Sequence, residues 1–130
     1  MCGAPNNGVT ELMVCAKNGL FFVEMKEQGR GRNFTWKLSE RSYFNDRIVS
    51  GAYEYEGKII VCVRGMTDLQ VIERESDSIG IIPNPSGDKI YFAMLPVPTA
   101  PHLLLIKDRT FISVVDFHTN KSIKLFESPL

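Results

Sequence analysis

Short runs of apolar and β-branched residues alternate with polar, glycine-bearing turns along almost the whole chain. The clearest unit is Thr110 to Glu127, TFISVVDFHTNKSIKLFE. Ile112 and Val114 belong to a strand that closes on Asp116. His118 to Lys121 supply turn chemistry, and Ser122 to Phe126 alternates polar and apolar as a half-buried strand does. The same pattern predicts strands at Glu11–Ala16, Leu20–Met25 and Phe34–Leu38, with Asn18-Gly19 as a tight turn between the first two. A longer polar segment, Ser39 to Asp46, follows.

Further strands are predicted at Arg47–Tyr55, Lys58–Val63, Leu69–Glu73 and Ser78–Ile82, with Glu56-Gly57 turning the chain. Gly51 signals a bulge or a close packing contact. KIIVCV, Lys58 to Val63, is almost continuously apolar, as a strand covered on both faces should be. After Pro83 to Gly87, strands are expected at Lys89–Met94 and His102–Lys107, separated by a proline-stiffened connection, PVPTAP. No stretch carries apolar residues at i, i+3, i+4 and i+7 long enough for a substantial helix.

These pieces repeat. MVCAKNG, VCVRGMTD and LLIKDRT each run a buried strand into a turn, and LFFVEM, LQVIER and ISVVDF each end on an apolar residue followed by an acid: Glu24, Glu73 and Asp116. The interval is roughly 45 residues, the length of four short strands and a signature of β-propeller blades. ISVVDFHTNKSIKLFES resembles the third strand, turn and fourth strand of a WD-repeat blade, with Asp116 at the acid of that family's Trp-Asp pair and Val115 in place of the Trp. No repeat has the family's Gly-His pair or a Trp at the dipeptide, so its hydrogen-bond network does not carry over. Citron-homology propellers match LFFVEM-type strands about as well.

The resemblance implies an all-β chain of consecutive four-stranded antiparallel propeller-type blades, incomplete at about two and three-quarter blades where closure takes four to eight. Residues 1–10 are then a flexible N-terminus, 11–38 a partial blade, 39–82 a second and 83–130 a third, in one β-propeller-like domain. A self-contained sandwich or barrel is the alternative all-β reading. Three blades in a row leave two large apolar faces bare. An interaction scaffold, completed by partner proteins or by self-association, is therefore the expected function.

Composition narrows this further. The chain has 130 residues, 44% hydrophobic, with 15 basic and 15 acidic side chains. That balance gives no general attraction to nucleic acid or acidic lipid. No apolar run is long enough to span a membrane, and the N-terminus lacks the pattern of a secretory signal. Cys2, Cys15 and Cys62 show neither paired nor zinc-type spacing, and Cys15 and Cys62, inside the apolar strand patterns LMVCA and IIVCV, are expected as buried thiols, which fits a cytoplasmic or other reducing intracellular compartment. The sequons at Asn33 and Asn120 are then chance matches.

No catalytic motif stands out, and an enzyme with a channel site would need the missing blades. His102 and His118 lack any motif partner and read as strand-end or surface histidines, their spacing signalling no metal site. Neither a cofactor nor a metal is expected. The repeating acids are expected to bond turn backbone or a neighbouring loop. The alternative function is a nucleic-acid or small-ligand-binding all-β module that uses Arg30 and Arg32 in the GRGR loop. If the blade order holds, one rim gathers Arg41, Tyr43, Phe44, Met66, Asp68 and Arg109, residue types among which aromatics and arginines anchor interfaces. Tyr43 and Phe44 could instead pack beneath their loop.

Overall fold

The computed structural model describes residues 9–28, 33–85 and 94–127. Among them there is no helix, and none therefore that could cross a membrane. The chain is all-β: the described residues form eleven strands in three separate antiparallel sheets, each built from consecutive strands, and among them no sheet closes into a barrel. By internal contacts the chain divides into two compact units, Met1–Ile48 and Val49–Leu130.

The first unit holds the sheet β1 (Val9–Ala16), β2 (Gly19–Gln28) and β3 (Asn33–Tyr43), in that order. Antiparallel partners share a face, so the register sorts the side chains. One face carries Leu20, Phe22 and Tyr43, all buried, with Phe22 and Tyr43 edge to face at 6.1 Å. The opposite face carries Val14 beside Phe21, Leu12, Val23 and Leu38 in one row, and Met25 beside Trp36.

Gly19 closes the β1–β2 turn at φ +142, and a Cβ there would stand 3.0 Å from the Tyr43 carbonyl oxygen. Gly19→Ala is thus expected to cost about 1–3 kcal/mol in urea unfolding, the range for strained backbone. A wild-type midpoint would show that Tyr43 gives way freely.

The expected polar segment at Ser39–Asp46 is corrected: β3 continues to Tyr43. The register slips between Phe21 and Val23, so Ser39 to Arg41 bulge out, and Arg41 N–H donates to Ser39 Oγ at 3.2 Å. The strand then re-enters to pair Tyr43 with Leu20, because burying that ring outweighs the polarity of the residues before it. Of the residues read as a flexible terminus, Val9 and Thr10 lie in β1, and the others are outside the described residues.

The second unit holds two four-stranded sheets. One runs β4 (Val49–Tyr55), β5 (Lys58–Val63), β6 (Asp68–Glu73), β7 (Ser78–Pro83) in chain order. The other comprises β8 (Met94–Val97), β9 (Ala100–Lys107), β10 (Phe111–Asp116) and β11 (Lys121–Glu127), likewise in order. They share one core of Ile60, Cys62, Leu69, Val71 and Ile82 from the first sheet with Leu104, Ile106, Val115 and Phe117 from the second. β4 lies beside β8 and β7 beside β11, and Ser122 Oγ donates to the Pro83 carbonyl at 2.7 Å across the latter pair.

β5 is buried on both faces, as its apolar run predicted: Ile60 and Cys62 enter the shared core, while Ile59, Val61 and Val63 are buried on the far side. Gly51 is both a bulge and a close contact, since the register slips between Val49 and Gly51 and a Cβ would meet Met94 at 3.2 Å.

The expected connection at PVPTAP is also corrected. Pro96 and Val97 belong to β8, Ala100 and Pro101 to β9, and only Pro98-Thr99 turns. β8 is an edge strand, where a missing N–H is tolerated, and Pro101 lies beyond the last β10 pair, Asp116 with Leu103. Of the strand expected at Lys89–Met94, Met94 opens β8 and the other residues are outside the described residues.

Candidate functional site

In the second unit, two ends of the sheet pair gather polar side chains. At one end Asp108, 2% exposed, closes the β9–β10 turn. Its Oδ1 accepts the backbone N–H groups of Thr110 and Phe111, each at 2.7 Å, and its Oδ2 accepts Asn84 Nδ2–H at 2.7 Å. The loop after β7 is thereby tied to the opposite sheet. Three of the expected rim residues belong to this unit. Asp68 opens β6 opposite Pro83, Met66 is half-buried with its N–H on the Val63 carbonyl at 3.1 Å, and Arg109 is exposed in the turn that Asp108 holds.

The other three belong to the first unit. Arg41 is exposed on the β3 bulge, and Phe44 is half-buried at φ 55. Tyr43 is 8% exposed and packed on Phe22, so it serves the core rather than a surface. Arg30 and Arg32 lie outside the described residues.

At the other end of the second unit stands an aromatic and imidazole cluster that sequence reading missed. Tyr53 stacks on Phe117 at 6.1 Å and its phenol donates to the Pro101 carbonyl at 2.8 Å. Tyr55 packs against Phe117 at 5.7 Å, and its Oη lies 2.8 Å from His118 Nε2. The His102 and His118 rings stack with centroids 4.2 Å apart and planes within 5°. Asp116 Oδ1 accepts the His118 backbone N–H at 2.8 Å, the turn role expected of it.

Loss of hydration pushes the Tyr55 phenol above its ordinary range, and the neighbouring Glu56 carboxylate adds to this, so Tyr55 stays neutral. Glu73 instead pairs with Lys58 at 3.7 Å, and Glu24 sits between Glu11 and Lys37 in its ladder. Motif matching passes over the histidines because β9 and the β10–β11 turn carry them separately. Only the hairpin register unites them, with Phe117 N–H on the His102 carbonyl at 2.9 Å.

The third feature is apolar. Leu95, Leu105, Val114 and Ile123 are opposite one another across β8, β9, β10 and β11, forming a row on the outer face of that sheet. Leu103, Ile112 and Phe126 extend it. Leu95 is 62% exposed and Ile123 59%. On β3, Trp36 and Leu38 are 60% and 63% exposed on the apolar face of the first unit's sheet. Single exposed apolar residues are ordinary, whereas a row across four strands marks an uncovered packing face.

No protein family, curated protein or solved structure matches this chain.

Proposed function

We propose that this chain is a non-enzymatic protein-interaction scaffold, a partial β-propeller of about three blades whose bare sheet faces are covered by sheets of another chain. One observation carries the reading: the Leu95–Leu105–Val114–Ile123 row, an apolar stripe spanning a whole sheet on the side away from its core. The strand counts of three, four and four, taken in chain order, support blades. So does the matching of first strand to first and last to last between the two four-stranded sheets. Apolar faces of this extent drive association because covering them releases about 25 cal/mol per Å².

Without a partner, the available cover is a second copy. Light scattering of the purified chain should therefore give a multiple of 14.7 kDa. A mass of one chain together with a sharp cooperative melt would overturn the reading, since a stable monomer needs no cover.

A further inference from the structure

The geometry points to a second capacity, independent of the apolar faces: His102, Asp116 and His118 form a binding site for a divalent transition-metal ion of the zinc type. Each offers one ligand atom, and these atoms all lie within 4.8 Å of one another. Around zinc, with bonds of about 2 Å in a tetrahedron, ligand atoms stand roughly 3.3 Å apart, so the gap to close is at most about 1.5 Å.

The placement is a product of the ladder. Asp116 ends β10 opposite Leu103, the neighbour of His102, and Phe117 N–H bonds the His102 carbonyl. Asp116 Oδ1 in turn fixes the backbone at His118.

Stacked as they are, the imidazole planes run parallel, and in-plane lone pairs on parallel rings do not converge. One ring must turn to bind. His118 can do so, being exposed in the β10–β11 turn, while half-buried His102 is held in β9. Tyr55 Oη lies 2.8 Å from His118 Nε2 in the stacked arrangement, so with ligation through His118 Nδ1 the phenol must follow the ring as it turns to serve as the outer partner that orients a metal-bound imidazole.

Two imidazoles and one carboxylate select zinc, copper or nickel over magnesium or calcium, which require more oxygen ligands. Three protein ligands leave one position for water. Because His102 and His118 join β9 to the β10–β11 turn, and Tyr55 belongs to β4, a bound ion would brace the end where the two sheets of this unit meet.

The test is a titration of the full chain, with Cys2→Ser and Cys15→Ser to remove competing thiols, using zinc and magnesium chlorides by calorimetry. One zinc per chain should bind and raise the melting temperature, magnesium should do neither, and cobalt(II) should develop the intense visible bands of a four-coordinate site. His118→Gln, at an exposed turn position, keeps the fold and should weaken zinc at least about 100-fold. Tyr55→Phe should weaken it about 10-fold, the lower end for an outer-shell partner. Absence of zinc binding, equal binding of magnesium, or unchanged affinity in His118→Gln would each overturn the assignment.

Discussion

A chain carrying Leu95→Lys and Ile123→Lys together is expected to run at 14.7 kDa where the unaltered chain runs at a multiple of it. Both side chains stand at the ends of the outer row on β8–β11, at 62% and 59% exposure, so neither supports the core of its own sheet. The melt of the isolated chain should barely move, since surface changes of this kind cost within about 0.5 kcal/mol. Association, by contrast, would have to bury two ammonium groups without partners. Each penalty amounts to several kcal/mol, and every 1.4 kcal/mol is about tenfold in affinity. A combined weakening of about 1,000-fold or more should leave no oligomer at micromolar concentration. Trp36→Lys with Leu38→Lys makes the parallel test on the first unit's sheet. An oligomer that persists in both pairs would show that association uses some other surface.

Asp108→Ala is expected to lower the free energy of unfolding by roughly 3–5 kcal/mol, from a total of about 5–15 for a domain of this size. The carboxylate is buried and accepts from Thr110 N–H, Phe111 N–H and Asn84 Nδ2–H, each at 2.7 Å. Hydrogen bonds to a charged group are worth about 1.5–3 kcal/mol, and truncation strands their donors. Asp108→Asn keeps an amide oxygen for the two backbone donors and should recover about half the loss. Urea midpoints of the two variants decide this. A loss below about 1 kcal/mol for Asp108→Ala would mean that water closes the turn equally well.

Local chemistry was legible where it acts alone. Glu56-Gly57 turns the chain where its glycine suggests, with both residues at positive φ, while the turn expected at Asn18-Gly19 falls one residue earlier, on Lys17-Asn18, and Gly19 opens β2. The apolar run in β5 announced burial on both sides, and the internal repeat anticipated three sheets of consecutive strands.

Legibility failed where tertiary pairing outweighed composition. Ser39 to Tyr43 looks like a loop until Leu20 gives Tyr43 a partner, and Pro96 looks like a breaker until its strand proves to be an edge. HLLLIK read as a buried strand, yet Leu103 and Leu105 face outward while Leu104 and Ile106 enter the core; MVCA read likewise, yet Val14 and Cys15 are exposed, which corrects the buried thiol expected at Cys15. Alternation alone does not say which side is covered. Of the expected rim, Met66 and Arg109 lie in turns, Asp68, expected in a loop, opens β6 instead, and Tyr43 was claimed by the core. The histidine pair was invisible because nothing in either local sequence encodes the register that stacks them.

Pro96 limits what kind of polymer this protein can become. Cross-β fibres lengthen when an incoming strand docks along an open rim and finds an unbroken series of amide donors. In β8 the imino acid interrupts that series. On that side, recruitment is left to side-chain contact across broad surfaces, which ends once those surfaces are shielded, so oligomers joined there should be of finite size.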